Sequence, residues 1–419
     1  MANKSVLSGA GFVRLALFLA LAALVLPFLA CGGSGNSSTT TSKLKNRAFI
    51  TNTYSGNLQI VDTQNDKTAL TAQTLSSTGQ IIPGQPITIP VGSSVTLETE
   101  SSDHAVTAVY DPASAILSFI TNSSEVSASS VALTSATGLI LFSNDTNSVY
   151  APEPNLPVAG GRAGGVEVLS RTNSNISATY DIPRARYIAL SPNGQYLLVF
   201  ADNSDSLFLL NLTASTVTPV EVPGFARPIN AVFSSDSSTA YVLNCGPECG
   251  SSGPASVAQF NIASQTIMTT VPVGGASVGL LNGQTLYVAG SPVPPGTTST
   301  YDAVNVSNMT RITANSVAIG DGFHTTMALA TNNKLYIGAN TCSNTVTGCL
   351  SVVDVSTNTA DAALPPRGAV TSLLSVKNRN VIYAIEGGLL NIYDTRTDTL
   401  QPTQLTFTGA LNTIVQVDP

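Results

Sequence analysis

The fold is decided by a stretch close to the start of the folded region, AFITNTYSGNLQIVDTQNDK at residues 48–67. It contains two short runs of apolar and β-branched residues, AFITN (48–52) and LQIVDT (58–63), separated by a turn that contains glycine. Runs of this length, bounded by Ser, Asn, Asp and Gly, predict two strands joined as a hairpin.

The same pair of strands recurs at intervals of roughly 40–50 residues, which is the signature of a repeat architecture. Counterparts of AFITN lie at 105–111, 148–152, 196–200, 240–244, 286–290, 335–339 and 381–385. Counterparts of LQIVDT lie at 116–122, 166–172, 207–213, 257–263, 301–307, 350–356 and 390–396. Repetition of a four-stranded unit predicts an all-β protein, a β-propeller, which has about 4–8 blades. The repeats count eight blades; seven is the alternative, if the irregular region 64–135 holds only one.

The two ends of the repeat region predict how the ring closes. The chain enters at AFITN without a preceding first strand, and it ends in LNTIVQVDP (411–419), which resembles the first strands YIALSPN (187–193) and INAVFSSD (229–236). We therefore expect the C-terminal strand to complete the N-terminal blade. Such closure leaves no free sheet edge, and residues 46–419 form a single propeller domain.

The repeats resemble those of the YVTN-type β-propellers of bacterial and archaeal surface proteins. The similarity rests on residues 48–67 and on KLYIGAN…LSVVDVSTNTAD (334–361), and it extends over most of residues 46–419. It implies the propeller fold, and it implies no particular chemistry because these repeats specify blade strands.

Residues 1–30 predict an export signal. Lys4 and Arg14 precede an apolar run, 15–30, that has the length of a signal-peptide core and is short for a membrane span. The following Cys31 resembles the lipidated cysteine of bacterial lipoproteins, although Phe28 stands where Leu is usual. An ordinary signal peptide and an uncleaved anchor are the alternatives.

Residues 31–45, rich in Gly, Ser and Thr, predict a flexible tether between the lipidated cysteine and the propeller. We expect a protein of the bacterial cell envelope, held to a membrane by its lipid and facing the periplasm or the exterior.

Four further cysteines form two short-range pairs, Cys245/Cys249 and Cys342/Cys349. Two local disulfides are the natural interpretation in an oxidising compartment. A four-cysteine zinc site is the alternative, although neither spacing matches the C-x2-C of common zinc ribbons. We predict no metal.

Composition narrows the function classes. The chain has 24 acidic and 17 basic residues, a net charge of −7, and no cluster of Lys and Arg in its folded part. Nucleic-acid binding, which needs a basic surface, is therefore disfavoured. There are only two histidines and no cofactor-binding motif, so we predict no cofactor and assign no catalytic residue. The sequence favours a non-enzymatic binding or scaffolding module; a lactonase-like propeller hydrolase, with its site at the channel mouth, is the alternative.

The long loops are predicted to lie on one face of the propeller. The connections between second and third strands are long in four blades, at 151–165, 245–254, 291–300 and 339–349, and both cysteine pairs fall among them. Scaffolds carry binding function on such loops, so we expect a protein, peptide or glycan ligand at this face.

Five residues are candidates for contacting that ligand: Arg162, Arg186, Arg227, His324 and Arg367. All except Arg162 precede or begin first strands at intervals near the repeat length, so we expect them around one end of the central channel. Guanidinium groups gathered in an acidic protein favour an anionic ligand. The alternative is that these side chains only tie adjacent blades together.

We expect Cys31→Ser to release the protein from membranes, because the thiol is the predicted site of lipid attachment. Wild-type protein should enter the detergent phase on phase partitioning, and the variant should stay in the aqueous phase. The nearby variant Ser34→Ala should behave as the wild type. Equal partitioning of Cys31→Ser and the wild type would show that this thiol carries no anchor.

Overall fold

Antiparallel strands build the protein into a ring of eight sheets, which are the blades of a propeller. The seven-blade alternative is therefore wrong, and the predicted count of eight is confirmed. A 3-10 turn, Gly246–Cys249, is the single helical element among the described residues. No helix in this part of the chain is both long and apolar enough to cross a bilayer.

All described residues of the computed structural model belong to one compact unit, Thr40–Pro419. They are residues 41–70, 74–75, 80–82, 85–159, 161–292, 298–342, 349–361, 364–402 and 405–418. The export signal and Cys31 lie outside them.

Blades 1 to 4 follow one another along the chain, and the strands of each run from the innermost, at the channel, to the outermost. Blade 1 consists of β36 (Leu411–Gln416), β1 (Arg47–Asn52), β2 (Asn57–Asp62) and β3 (Lys67–Thr68), with β6 (Thr88–Pro90) also paired to β2. Blade 2 consists of β7 (Leu97–Glu100), β8 (Val106–Asp111), β9 (Ile116–Thr121) and β10 (Val126–Ala132). Blade 3 consists of β11 (Leu141–Phe142), β12 (Ser148–Glu153), β13 (Gly165–Ser170) and β14 (Asn175–Asp181). Blade 4 consists of β15 (Ala185–Leu190), β16 (Tyr196–Ala201), β17 (Ser206–Asn211) and β18 (Val220–Pro223).

Blades 5 to 8 repeat this order. Blade 5 consists of β19 (Pro228–Phe233), β20 (Thr239–Asn244), β21 (Ser256–Asn261) and β22 (Thr266–Pro272). Blade 6 consists of β23 (Val278–Asn282), β24 (Thr285–Gly290), β25 (Ser299–Asn305) and β26 (Thr310–Arg311), with β27 (Val317–Ile319) also paired to β25. Blade 7 consists of β28 (Phe323–Leu329), β29 (Lys334–Thr341), β30 (Leu350–Asp354) and β31 (Thr359–Ala360). Blade 8 consists of β32 (Val370–Ser375), β33 (Val381–Glu386), β34 (Leu389–Asp394) and β35 (Thr399–Leu400). A separate hairpin, β4 (Thr74–Leu75) with β5 (Ile81–Ile82), lies in the irregular region after blade 1.

The hydrophobic core lies between neighbouring blades. Second strands are covered on both faces, so all six residues of β33 are buried, whereas the outermost strand β14 alternates between exposed and half-buried residues. Between blades 4 and 5, for example, Phe200, Phe225 and Phe260 pack in one cluster. The recurring apolar second strand was visible in the sequence because it needs two apolar faces.

The C-terminal strand closes the ring, as predicted. β36 pairs antiparallel with β1, with Phe49 opposite Val415 and Ile50 opposite Ile414. An ion-pair cluster reinforces the closure, because the Arg47 guanidinium lies 2.6 Å from the Asp418 carboxylate and 2.7 Å from that of Glu125 in blade 2.

Contacts of the propeller begin within the segment expected to be a tether. The Ser42 amide donates to the Glu125 carboxylate at 2.5 Å, and Leu44 packs against the core between blades 1 and 2. Residues 42–45 are therefore part of the folded unit.

Arg47→Ala should lower the free energy of unfolding by roughly 3 kcal/mol or more, because it leaves a buried carboxylate without its cation. The side chains of Arg47 and Glu125 are only 9% and 3% exposed. Arg396→Ala is the matched control, since Arg396 is 67% exposed in its pair with Asp394 and its loss should change the stability little. Denaturant unfolding compares the two variants, and equal losses would contradict a closure role for Arg47.

Candidate functional site

The crossings between blades and the connections between second and third strands meet at one end of the ring, which we call the mouth. Backbone hydrogen bonds join them, from the Asp202 amide to the Arg184 carbonyl and from the Cys245 amide to the Arg227 carbonyl, both at 3.0 Å. The long connections are 154–164, 245–255, 291–298 and 342–349. In the other blades they are 53–56, 112–115, 202–205 and 387–388. The four connections that were predicted to be long are the long ones in the structure, and they lie at this end of the ring.

Both cysteine pairs form disulfides at the mouth. Cys245 with Cys249 and Cys342 with Cys349 each have a Cα–Cα distance of 5.6 Å, which is normal for a disulfide. The zinc-site alternative is therefore wrong. In the part of the chain that the structure describes, no group of three His, Cys, Asp or Glu side chains could hold a metal.

A cavity of about 500 Å³ opens into the channel at the mouth. This volume is typical of small-molecule sites. Its lining comes mainly from the innermost strands and the residues just before them. The lining residues are Leu97, Gly138, Leu139, Arg186, Tyr187, Ile188, Ile229, Asn230, Ser277, Phe323, Thr325, Asn340, Thr371, Asn412 and Thr413.

β-bulges at the start of several innermost strands supply side chains to this cavity. The register shifts between Ala185 and Tyr187 in β15, and between Val370 and Ser372 in β32. A bulge inserts an extra residue and re-aims its side chain, so the intervening Arg186 and Thr371 line the channel. The sequence does not reveal such bulges, because the extra residue carries no special composition.

Arg186 is the predicted candidate that enters the cavity. Its guanidinium lies 3.7 Å from the Asp202 carboxylate and 5.9 Å from the centre of the Tyr187 ring. The side chains of Arg186 and Asp202 are 47% and 39% exposed. The pair is therefore loose and open to solvent.

Arg227 lines a smaller adjoining cavity of about 110 Å³, which shares Tyr187, Ile229 and Phe323 with the larger one. It is held by Asp205, whose carboxylate accepts from the Arg227 amide at 3.0 Å and lies 3.3 Å from the guanidinium. These contacts join blade 4 to blade 5, so Arg227 ties adjacent blades together.

The spacing of the repeats predicted that Arg186 and Arg227 occupy equivalent positions in their blades, and this prediction is wrong. Arg227 has φ of 54°, and its counterpart in the preceding blade is Arg184, with φ of 55°. Both stand two residues before the bulge of their innermost strand, and their backbones adopt the left-handed conformation, which is uncommon for residues other than glycine. Arg186 occupies the bulge and points into the channel.

The remaining candidates do not line either cavity in the described structure. His324 is 0% exposed, and burial lowers its pKa to about 4, so it is neutral and offers no accessible atom to a ligand. Arg367 is exposed and interacts with the Tyr393 hydroxyl and the buried Glu386. Burial raises the pKa of the Glu386 carboxyl, and Arg367 opposes this rise. Arg162 is exposed on the 154–164 connection.

The polar lining of the larger cavity divides into two sectors that sequence reasoning missed. The tied sector comprises Thr371, Asn412 and Thr413 of blades 8 and 1. Its groups are occupied, because the Thr371 hydroxyl donates to the Asn412 carbonyl at 2.6 Å and the Thr413 amide donates to the Thr51 hydroxyl at 2.9 Å.

The free sector comprises Arg186, Asn230, Thr325 and Asn340 of blades 4, 5 and 7. Arg186 is only loosely paired with Asp202, and Asn230 keeps its side-chain NH2 group for other contacts while its side-chain oxygen accepts from the Ala231 amide at 2.8 Å. Among the residues that the structure describes, the Thr325 hydroxyl and the Asn340 side-chain amide have no hydrogen-bond partner, and both residues are exposed. The sequence gives no signal for this sector, since Ser, Thr and Asn occur throughout the chain.

A pair of carboxyl groups lies in blade 3, closed to solvent. Glu153 ends β12 at the mouth and is 0% exposed, and its neighbour Glu167 on β13 is 2% exposed. Burial, and then the adjacent Glu167 carboxylate, raise the pKa of Glu153 to about 9. The Thr134 amide donates to the Glu167 carboxyl at 3.1 Å. Glu153 is therefore protonated at neutral pH. The pair is built into the blade and does not reach a substrate.

Glu153→Gln should stabilise the protein at alkaline pH. A carboxyl group whose pKa rises from its ordinary value to about 9 on folding favours the folded state at acidic pH and loses this advantage as the pH rises towards 9. Each pH unit in that window removes up to about 1.4 kcal/mol. The melting temperatures of variant and wild type should agree near pH 4.5 and separate progressively up to pH 9. Glu221→Gln, at an exposed residue of β18, should show no such separation.

Comparison with known proteins identifies the fold and no family. No protein-family model and no curated protein matches the chain. The dihydro-heme d1 dehydrogenase NirN in complex with DHE superposes with a TM-score of 0.63 at 12% identity, over 89% of this chain and 76% of that one. A functionally unknown protein from Desulfotomaculum acetoxidans DSM 771 superposes with a TM-score of 0.52 at 17% identity, over 77% of this chain and 98% of that one. Since 1184 solved chains match, the likeness establishes a β-propeller and does not select a function.

Proposed function

We propose that the protein is an exported, lipid-anchored propeller of the YVTN type that binds a ligand non-enzymatically at its mouth. The observation that carries this proposal is the division of the cavity wall. The tied sector uses its polar groups to hold the ring together, whereas the free sector presents them to the cavity. A fold needs the first arrangement, and a ligand site needs the second.

Arg186 gives this site its preference for an anion. The guanidinium presents several donors in a plane and can hold a carboxylate through two hydrogen bonds. Its existing partner, Asp202, is exposed and 3.7 Å away. Such a pair is worth about 0–1 kcal/mol, so a ligand carboxylate can take the place of Asp202 at little cost.

The chemistry of the lining supports binding over hydrolysis. The larger cavity is lined by hydroxyl, amide, aromatic and aliphatic groups and by one guanidinium. A hydrolase of the lactonase type would need a carboxylate, a histidine or a metal within reach of the substrate. Among the described residues, His324 and the Glu153–Glu167 pair are buried and do not line the cavity. The Asp202 carboxylate lines the smaller cavity, where it is paired with Arg186.

The proposed location draws on the two disulfides, which are typical of an oxidising, exported environment. The lipid anchor rests on Cys31 and the apolar run before it. The membership of the YVTN family rests on the recurring strand motifs, which the eight blades reproduce in order.

Isothermal titration with acetate, citrate, benzoate and glucuronate tests the anion site. We expect at least one of these carboxylates to bind, and Arg186→Ala to weaken that binding by about tenfold or more, as expected for loss of a charged hydrogen bond. Asp202→Asn should tighten it, because the competing carboxylate is gone.

The melting temperature of Arg186→Ala without ligand should stay close to that of the wild type, since the side chain is 47% exposed. Arg396→Ala is the control for loss of an exposed guanidinium elsewhere on the ring. Absence of binding by all four carboxylates, or binding that ignores Arg186, would contradict an anion site at the mouth.

A further inference from the structure

We infer that the ligand is an acidic sugar, a short oligosaccharide that places one hexuronic acid carboxylate on Arg186 and its hydroxyl groups on the free sector. This inference rests on the proposed function and specifies the class of ligand. It follows from three properties of the cavity: its aromatic neck, its neutral polar groups and its single usable positive charge.

The aromatic neck separates the two cavities at the mouth. Tyr187 and Phe323 line both of them, and Ile229 completes the boundary. Tyr187 comes from blade 4 and Phe323 from blade 7, so two rings from separate blades border the same opening. Both residues are half-buried, which leaves part of each ring available. A sugar ring presents an apolar C–H face that can cover such a surface, while its edge carries the polar groups.

The neutral groups of the free sector fit hydroxyl partners. The side-chain amide of Asn340 can donate and accept, and so can the hydroxyl of Thr325, whereas Asn230 offers its NH2 group as a donor because its oxygen accepts from the Ala231 amide. A sugar hydroxyl also does both, so each contact can form without leaving a donor or an acceptor unpaired. An apolar carboxylate in the same position would strip water from these groups and replace none of their hydrogen bonds, which weakens its binding.

The charge of the cavity selects one carboxylate and disfavours a polyanion. Arg186 is the one cationic side chain among the described residues that line the larger cavity. Arg227, in the smaller cavity, is already held by Asp205 through its backbone and its guanidinium. Asp202 also lines the smaller cavity and would repel a second negative group there. The protein as a whole carries a net charge of −7. A heavily sulfated chain therefore meets repulsion, whereas a single uronic acid meets its one partner.

The walls of the mouth are fixed before the ligand arrives. The 3-10 turn of blade 5 is closed by Cys245–Cys249, and its Glu248 carboxylate accepts from the Ser291 amide of blade 6 at 2.9 Å. Cys249 itself borders the smaller cavity beside Arg227. A wall that is already ordered lowers the entropic cost of binding, which weakly binding sugars need more than other ligands.

Titration calorimetry with matched sugars tests the inference. The probes are digalacturonate with one of its two carboxyl groups methyl-esterified, so that a single carboxylate is free, its neutral counterpart galactobiose with the same linkage, and acetate. We expect digalacturonate to bind at least about tenfold more tightly than either of the other two, because it alone uses both Arg186 and the free sector. Glucose tetramers serve as a neutral sugar of different geometry.

Two variants separate the contributions of charge and ring. Arg186→Gln should reduce the affinity for digalacturonate to that for galactobiose. It should leave the affinity for galactobiose unchanged. Phe323→Leu should lower the affinity for both sugars by a similar factor, whereas Phe323→Tyr should leave both affinities unchanged. Thermal melting confirms that each variant is folded, and Arg396→Gln is the surface control.

The outcomes distinguish this inference from the function on which it rests. If acetate, citrate or benzoate binds through Arg186 as tightly as digalacturonate, the anion site stands and the acidic-sugar inference is wrong. If galactobiose binds as tightly as digalacturonate, the proposed role of the charge is wrong. If none of these compounds binds at the mouth, both the inference and the proposed function fail.

Discussion

The structure depends on one antiparallel ladder, between the last strand and the first. Every other blade is made from consecutive strands, whereas blade 1 joins β36 to β1 across the whole length of the chain. Without this ladder two sheets would expose edges and the apolar faces between them. The polar groups around the channel follow from the same constraint. Thr371, Asn412 and Thr413 hold the inner strands together where the ring closes, and so they are unavailable for other contacts.

The ligand binding that we propose then falls to the part of the ring away from the closure. Blades 4 to 7 are formed by continuous chain, and three of them carry long connections at the mouth. Their inner strands place Arg186 and Thr325 towards the cavity, and neither side chain is needed to close the ring. In the proposed function, stability and recognition are thus assigned to different arcs of one ring.

The fold was predictable from the sequence because blade strands bury two faces, so runs such as AFITN and LQIVDT recur in a readable order. Closure was predictable because LNTIVQVDP looks like a first strand. The site was not, since its decisive features are conformational. The bulge that turns Arg186 into the channel has no sequence mark, and Arg227 was grouped with it although it corresponds to Arg184. His324 resembled a channel residue by spacing, but strand alternation directs it into the core while Phe323 and Thr325 line the cavity.

The contact between Ser42 and Glu125 also has a geometric consequence. Glu125 lies in the turn between β9 and β10, and Arg47 begins β1, so both belong to the end of the ring opposite the mouth. The described chain therefore enters the propeller at the end opposite the mouth. The channel opening and its disulfide-closed loops are thereby left clear of the segment through which the chain enters the ring.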